Sequence, residues 1–320
     1  MSDENKELND APDTGPDFTF TPAELPMDYR SDWLCELARE NSDRILSTNE
    51  CDNDYLTLES VQYIFTVCVR LRLPHDIRYL AVLVFARFMR IHTVQVFGFL
   101  SNLRLSEKRR RHEWEKVEAN LSRQTTLRML SSIQIASKAL SYHDSLSSKQ
   151  VCSCLRSLGF AYTQQAALKS ELRILKTLNF RLPRSPLTYS ETLLKIIGCY
   201  WPNIDYKSIW EHILLFLDVV FLHHDQVYEV ALKVAGAGNS ASLPRKIDIE
   251  RVKADWMLLG EGVVVAASTC VLREDQTQQM MRDLSNLCGT EHEDIAQMAT
   301  AIIETTVMLQ SMSACEAGGS

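Results

Sequence analysis

The fold class is decided by residues 127–140, which read LRMLSSIQIASKAL. Apolar side chains recur in this stretch at helical spacing, at Leu127, Leu130, Ile133 and Ala136. Small residues at positions 131, 132, 136 and 137 would let neighbouring helices approach this one closely. The pattern therefore predicts a helix at the centre of a helical bundle.

Four more helical patterns surround this central stretch between residues 57 and 183. Two of them precede it and two follow it. The last covers about residues 163–178 and places its leucines, at positions 168, 172, 175 and 178, on one side. Residues 101–123, between the second and third helices, are predicted to be a polar insertion.

The second half of the chain repeats this alternation of helical patterns and breaks. Its predicted helices cover residues 189–200, 209–235, 249–272, 276–287 and 295–308. Nowhere do β-branched residues alternate with polar ones over the length of a strand between turn signals. We therefore predict an all-α protein built from two successive sets of about five helices.

The net charge of −7 comes entirely from the N-terminus. Residues 1–32 hold nine acidic and two basic residues, whereas acids and bases balance from Trp33 onward. Low hydrophobicity, high charge and four of the nine prolines predict that residues 1–30 are a disordered acidic tail. A helix is predicted to follow over residues 31–56. Because the body is neutral, a strongly basic nucleic-acid domain is not expected.

No constellation of residues typical of an enzyme or a metal site occurs in the sequence. Cys152 and Cys154 are one residue apart, where zinc ligands usually have about two to four residues between them, and no second pair follows at finger spacing. The common hydrolase, metalloprotease and kinase motifs are absent. The longest stretch without Asp, Glu, Lys or Arg, residues 91–103, is too short to cross a bilayer. We therefore expect a non-catalytic protein with no cofactor, no metal and no membrane span.

Four consecutive cations lie within the predicted insertion: Lys108, Arg109, Arg110 and Arg111. Such a run can act as a nuclear-import signal or can contact nucleic-acid phosphates. The acidic residues around it allow a third interpretation, a solvated helix surface with ion pairs four residues apart. The residues alone leave these three interpretations open.

Three stretches resemble the cyclin box. They read YLAVLVFARFM at residues 79–89, SIQIASK at 132–138 and ELRILKTLNFRL at 171–182. The resemblance covers about residues 57–183 and implies the five-helix cyclin fold for this part of the chain. It also implies a second, degenerate cyclin-like helical domain over residues 184–315.

In cyclins, a Lys near the end of the third helix and a Glu in the fifth form a pair that grips the partner kinase. The resemblance places these roles on Lys138 and Glu171, and apolar contacts with the kinase on Phe180 and Leu182. A Lys and a Glu on neighbouring helices can hold each other and still offer hydrogen bonds to a partner's backbone. The alternative is an intramolecular ion pair beside two core residues. The two acidic residues that often follow this lysine in cyclins are Ala and Leu in this chain.

Over most of its length the chain resembles cyclin-like proteins of meiotic crossover formation. This resemblance implies a regulatory or scaffold protein of the nucleus, associated with chromosomes, with the cytoplasm as a second location. It implies two kinds of partner, a cyclin-dependent kinase and meiotic recombination proteins. The alternative is a nucleic-acid-binding cyclin-fold module like that of transcription factor IIB, which would use residues 108–111. The neutral body disfavours direct nucleic-acid binding.

Overall fold

A computed structural model describes residues 27–49, 53–141, 145–201, 203–236 and 246–317, together with residue 16. These residues form thirteen α-helices and no β-strand, which confirms the all-α prediction. The helices in chain order are α1 (Met27–Ser47), α2 (Leu58–Arg70), α3 (His75–Asn102), α4 (Glu107–Leu140), α5 (Ser148–Ser157), α6 (Gln164–Thr177), α7 (Pro186–Gly198), α8 (Tyr206–Leu222), α9 (His224–Gly236), α10 (Lys246–Ala254), α11 (Trp256–Val271), α12 (Glu274–Cys288) and α13 (His292–Ala317). Apart from residue 16, the predicted acidic tail lies outside the described residues up to position 26, and α1 begins earlier than the predicted residue 31.

Helices α2 to α6 form the first lobe, with α4 at its centre. Helix α4 contacts α2, α3, α5 and α6, as predicted for the helix that contains residues 127–137. All of those residues are buried, and the small ones, Ser131, Ser132, Ala136 and Ser137, have no exposed surface. Small side chains on its surface therefore bring four neighbouring helices close to one helix.

The polar stretch over residues 101–123 is mostly helical, because it contains the end of α3 and the first half of α4. Helices α3 and α4 are joined by residues 103–106 and form a hairpin. Phe97 and Trp114 pack edge to face across it, with ring centroids 5.3 Å apart. No described residue from 101 to 126 is buried, and the α4 part of this stretch extends about 30 Å at roughly 1.5 Å per residue. Water surrounds this end of the hairpin, so its sequence carries no apolar stripe to mark it as helical.

The second half contains seven described helices, α7 to α13, where the sequence predicted five. The predicted helix over residues 209–235 is broken at His223, and the one over residues 249–272 is broken at Asp255. The Asp255 carboxylate accepts a hydrogen bond from the backbone N–H of Leu258 at 3.0 Å and so caps α11. Helices α10 and α11 are bent there by 62°. Periodicity alone missed both breaks because the apolar pattern continues through them.

Helix α11 is the centre of this second lobe. It contacts α7, α8, α12 and α13, and its residues 259–268 are all buried. Helix α13 packs on α9 as well as on α11 and completes the lobe. The assignment of residues 184–315 to a second, degenerate cyclin-like domain stays a prediction.

Helix α1 packs on α7, α10 and α11, near the other end of the chain. The buried Asn41 bridges the bend between α10 and α11: its amide donates to Asp255 at 2.8 Å and its carbonyl accepts from the backbone N–H of Trp256 at 2.9 Å. The Arg44 guanidinium stacks over the Trp256 ring at 3.7 Å and donates to the Ala254 carbonyl at 2.8 Å. The N-terminal helix is therefore anchored on the second lobe.

Three residues form what we call the inter-lobe clasp: Arg78 and Tyr79 of α3 and Asp218 of α8. The Tyr79 hydroxyl donates to one carboxylate oxygen of Asp218 at 2.7 Å, and the Arg78 guanidinium lies 3.2 Å from the other. Only 8% of the Arg78 side chain and 27% of the Asp218 side chain are exposed. Phe221 of α8 stacks on the Tyr79 ring at 4.9 Å. The lobes are thus joined by charged hydrogen bonds within an apolar contact.

Helix α3 is long enough and apolar enough, by length and composition, to cross a membrane. More than half of its most apolar stretch is buried inside the protein. It supplies fourteen buried residues to the first lobe, from Ile77 to Leu100. The core of the first lobe therefore accounts for the apolar character of this helix.

Gly262 allows α11 and α13 to pack at close range. A Cβ atom at this position would lie 2.5 Å from Cγ and 2.9 Å from Cβ of Met298. We therefore expect Gly262→Ala to lower the free energy of unfolding by about 1–3 kcal/mol, measured by denaturant titration. Gly98 of α3 is the matched control, because nothing lies within 4 Å of a Cβ there and alanine should stabilise the helix by up to about 1 kcal/mol. An unchanged midpoint for Gly262→Ala would contradict the close packing of α11 and α13.

Candidate functional site

Lys138 and Glu171 meet at the surface of the first lobe. Lys138 lies in the last turn of α4, and its Nζ donates to Oε1 of Glu171 in α6 at 2.6 Å. The Lys138 side chain is 42% exposed and that of Glu171 is 12% exposed. A lysine ammonium carries three N–H donors, so this contact leaves donors that a partner's carbonyl groups can use. The structure therefore brings together the two charged residues that the sequence singled out.

A buried polar contact fixes how α4 and α6 lie against each other behind this pair. Ser131 and Arg128 of α4 both donate to the hydroxyl of Ser170 in α6, each at 2.8 Å. Burial, together with the nearby charge of Arg173, lowers the pKa of the Arg128 guanidinium to about 10. Arg128 also lies over the ring of Phe88, 5.4 Å from its centroid. These contacts lie two turns or more before the end of α4 and set the register in which its last turn meets α6.

Leucines of α6 surround Glu171 on the outside of the protein. The predicted core stripe included Leu168 and Leu172, but these side chains are 51% and 46% exposed. The buried residues of α6 are instead Ala167, Ser170 and Ile174. Sequence reasoning missed the two exposed leucines because it expected leucine to be inside. The small residues at positions 167 and 170 indicated a second line of residues along α6, one that could pack closely against a neighbouring helix.

Phe180 is held outward just beyond the end of α6. Its φ is 57° and that of Asn179 is 51°, and its backbone N–H donates to the Leu175 carbonyl at 2.8 Å. A bulky residue with a positive φ is strained, and such strain is concentrated at functional sites. The Phe180 side chain is 63% exposed, whereas Leu182 is half-buried and packs against the core. Of the two predicted apolar contact residues, Phe180 is thus a surface residue and Leu182 is partly a core residue.

We call the surface formed by Lys138, Glu171, Leu168, Leu172 and Phe180 the α4–α6 face. It combines a half-exposed ion pair with three exposed apolar side chains. Interfaces between proteins commonly combine apolar and aromatic anchors with a small number of charged hydrogen bonds. The face therefore has the chemistry of a protein-binding surface.

The four cations at residues 108–111 lie at the opposite end of α4 from Lys138. Lys108, Arg109 and Arg111 are exposed and Arg110 is half-buried. Arg111 lies 3.5 Å from the carboxylate of Glu107. About 45 Å of helix separates position 108 from position 138 at roughly 1.5 Å per residue. The structure therefore keeps the basic run apart from the α4–α6 face.

Within the described ranges, no group of three or more His, Cys, Asp or Glu side chains is placed so that it could hold a metal ion. Cys152 is a buried free thiol and Cys154 a half-buried one. Burial raises the pKa of the Cys154 thiol, which disfavours the thiolate form that metals bind.

Comparison with known proteins adds to this geometry. Residues 38–183 match the family model described as "Cyclin, N-terminal domain". The chain is 29% identical over 274 residues to human Cyclin N-terminal domain-containing protein 1, covering 85% of this chain and 82% of the human protein. It is 28% identical over 284 residues to the mouse protein of the same name, covering 86% and 82%. Residues 38–183 are therefore similar to a cyclin N-terminal domain, and most of the chain is similar to the two Cyclin N-terminal domain-containing proteins.

Proposed function

We propose that the protein is a non-catalytic regulatory or scaffold subunit that binds a cyclin-dependent kinase through the α4–α6 face. The observation that carries this proposal is the 2.6 Å contact between Lys138 and Glu171 beside exposed apolar side chains. This contact lies inside the segment that matches the cyclin N-terminal domain. Proteins with this domain are generally regulatory rather than catalytic.

The α4–α6 face would hold a partner in two ways. The Lys138 ammonium would donate to backbone carbonyls of the partner, while Glu171 accepts from its backbone N–H groups. Leu168, Leu172 and Phe180 would lose their exposure to water, and burial of a large apolar side chain stabilises by about 1.5–3 kcal/mol. The apolar contacts would supply most of the affinity and the ion pair would set the orientation.

We expect Lys138→Ala and Glu171→Ala each to weaken capture of a co-expressed cyclin-dependent kinase by about tenfold or more, since each removes charged hydrogen bonds to the partner. Copurification of the tagged full-length chain with the kinase measures this. The free energy of unfolding should change by less than about 1 kcal/mol in Lys138→Ala, because this side chain is 42% exposed. Lys116→Ala is the matched control, since Lys116 pairs with Glu113 at 2.9 Å on the α3–α4 hairpin, away from the face.

Each outcome of this experiment bears on the proposal. If both variants retain the kinase as well as the wild type does, the α4–α6 face is not the kinase interface. If the wild-type chain captures no cyclin-dependent kinase of any class, the kinase-binding arm of the proposal fails. If the Lys116→Ala control loses the kinase as well, the weaker capture results from the loss of any positive charge and is not specific to Lys138 and Glu171.

The meiotic role of this proposal rests on the resemblance of the whole chain to cyclin-like proteins of crossover formation. We place the protein in the nucleus, on chromosomes, with meiotic recombination proteins as its other partners and the cytoplasm as a second location. A pull-down of the tagged chain from meiotic cells, read by mass spectrometry, tests these partners. Recovery of transcription factors in place of recombination proteins would contradict the meiotic assignment.

The projecting end of the α3–α4 hairpin favours one alternative function, a nucleic-acid-binding module of the transcription factor IIB type. Within residues 104–111 there are four exposed cations, at positions 104, 108, 109 and 111, and one acidic residue, Glu107. Affinity for duplex DNA that falls steeply with salt, and is lost in Arg109→Glu with Arg111→Glu, would support this alternative. The same run could serve nuclear import, in which case the double variant would stay in the cytoplasm without any change in DNA affinity.

A further inference from the structure

Three cations at the projecting end of the α3–α4 hairpin have no acidic partner in the part of the chain that the structure describes. Arg104 and Lys108 are exposed, and Arg110 is half-buried. None of the three has a described carboxylate oxygen within 4.0 Å. The Nε atom of Arg110 is buried and has no hydrogen-bond partner among the described residues. An unpaired donor of this kind favours a bound acceptor, because burying it without a hydrogen bond costs free energy.

The acidic residues next to these cations are already paired. Glu107 lies 3.5 Å from Arg111, and Glu113 lies 2.9 Å from Lys116. Residues 104–112 hold five cations and one acidic residue, which gives a net charge of +4 with histidine neutral. The N-terminus of α4 adds about half a positive charge through the helix dipole. This end of the hairpin therefore carries positive charge that its own residues do not balance.

Exposed apolar side chains lie beside this positive charge. Phe99, in the last turn of α3, is 65% exposed, and Leu103, which follows the helix, is 37% exposed. We call the surface formed by Phe99, Leu103, Arg104, Lys108 and Arg110 the basic tip. A partner that covers both kinds of side chain needs negative charge and apolar groups together. The basic tip therefore has the chemistry of a surface for an acidic polypeptide segment that also contains apolar residues.

The N-terminus of the same chain has the complementary composition. Residues 1–26 hold seven acidic residues and one basic residue, which gives a net charge of −6. They also hold apolar residues, among them Leu8, Phe18 and Phe20. Apart from residue 16, they lie outside the described residues. The sequence of this segment thus meets both requirements of the basic tip.

The segment is long enough to reach the basic tip. It ends where α1 begins, at Met27, and Arg39 of α1 lines the same cleft as Arg90 of α3. About 18 Å of helix separates positions 27 and 39, and about 20 Å separates positions 90 and 104, at roughly 1.5 Å per residue. Residues 1–26 span up to about 85 Å when extended, at roughly 3.3 Å per residue. The acidic residues far from Met27 are therefore within reach of Arg104 and Lys108.

We propose that the acidic N-terminal segment, residues 1–26, binds the basic tip of its own chain and covers it. A tethered segment meets its site at an effective concentration on the order of mM, so even a weak contact is populated. The contact depends on salt, because the Debye length falls from about 30 Å at 0.01 M to about 3 Å at 1 M ionic strength. While it is bound, the segment withholds the cations of the tip from other anionic partners, nucleic acid included.

The proposal does not depend on kinase binding. About 45 Å of helix separates Lys108 from Lys138, at roughly 1.5 Å per residue. The charged pair of the α4–α6 face is also balanced, whereas the basic tip is not. Variants of the tip and variants of the face are therefore tested separately.

The test is carbodiimide coupling of the full-length chain, which joins a carboxylate to an adjacent lysine amine as an amide. Lys108 is the lysine of the basic tip, and Lys149, exposed at the start of α5, is the control. At about 0.01 M salt we expect mass spectrometry to find carboxylates of residues 1–26 joined to Lys108 at least about fivefold more often than to Lys149. This excess should disappear at about 1 M salt.

Charge reversal gives a matched pair of variants. Arg104→Glu with Arg109→Glu reverses two exposed cations near Lys108 and should lower its coupling to the segment by about fivefold or more. Arg156→Glu with Lys176→Glu makes the same change of charge on α5 and α6 and should leave this coupling unchanged. All four side chains are exposed, so both variants should keep the fold, which their melting temperatures check. An equal mixture of unlabelled and isotope-labelled chains shows whether both ends of a product belong to one copy.

Several results would overturn the proposal. Equal coupling to Lys108 and Lys149, or none to Lys108, would show that the segment does not bind the basic tip. Products that carry both labels would show that the tip binds the segment of a second copy. Coupling that persists in Arg104→Glu with Arg109→Glu, or at high salt, would show that charge does not hold the contact. Equal loss in the control variant would show a general charge effect.

Discussion

Replacing Asp218 by alanine is expected to lower the free energy of unfolding by about 3–5 kcal/mol, because it leaves the buried Arg78 guanidinium without its counter-charge. Asp218 accepts from Tyr79 at 2.7 Å and lies 3.2 Å from Arg78, whose side chain is only 8% exposed. The Nε atom of Arg78 already lacks a hydrogen-bond partner. The Tyr79 hydroxyl has the Leu214 carbonyl at 3.0 Å as a second acceptor, so the expected loss comes from the unpaired charge of Arg78. The measurement is a urea titration of the full-length chain.

The amide variant separates charge from hydrogen bonding in the same clasp. Asp218→Asn retains an acceptor for the Tyr79 hydroxyl but removes the charge. We therefore expect its free energy of unfolding to lie between that of the wild type and that of Asp218→Ala. Lys116→Ala on the α3–α4 hairpin breaks an ion pair that is 58% and 38% exposed, and should cost less than about 1 kcal/mol. A loss below about 1 kcal/mol for Asp218→Ala would show that the clasp does not join the lobes.

The difference in unfolding free energy between Glu261→Gln and the wild type is expected to change by about 3 kcal/mol between acidic and mildly alkaline pH. Glu261 lies in the centre of α11 with no exposed surface, and neither of its carboxyl oxygens has a hydrogen-bond partner among the described residues. Burial raises the pKa of this carboxyl to about 7, even though the nearby Thr290 and Cys288 act in the opposite direction. The buried side chain is therefore protonated in the folded protein at mildly acidic pH.

The direction of this effect follows from the raised pKa. The contribution of Glu261 to stability is fully present below its unfolded pKa of about 4.5 and is lost as the pH rises through about 7. Between pH 4.5 and 8 the stability of the glutamine variant should therefore rise relative to that of the wild type. Urea titrations of both proteins across this pH range measure the difference in their unfolding free energies. The contributions of all other titrating groups are the same in both proteins and cancel in this difference. A difference that does not change with pH would show that Glu261 has an ordinary pKa.

The helices of the first lobe could be predicted because the spacing of their apolar residues fits only a helix that faces a core. Residues 127–137 are apolar or small apart from Arg128 and Gln134, and every one of them is buried. The hairpin end could not be predicted in this way, because a helix surrounded by water needs no apolar stripe. The break at Asp255 was hidden for another reason, since the helical spacing of Ile249, Val252 and Trp256 continues across it.

The candidate site was predictable only in part. The resemblance to cyclins named Lys138 and Glu171, and the structure brings them to 2.6 Å. Leu168 and Leu172 could not be placed outside by their pattern, because two stripes of α6 compete for the core and the one with Ala167 and Ser170 packs closer to α4. Use of the pair by a kinase stays a prediction, since an ion pair within one chain has the same geometry.

The position of α1 has a consequence for synthesis on the ribosome. Asn41 contacts Asp255 across 214 residues of chain, and the buried Leu37 lies in the same helix. At roughly 5–20 residues per second, about 10–40 seconds pass between the synthesis of the two partners. During that time α1 lacks its contacts with α10 and α11. Contacts of α1 with α7, such as that of Trp33 with Thr192, can form earlier, but those with Asp255 and Trp256 form last.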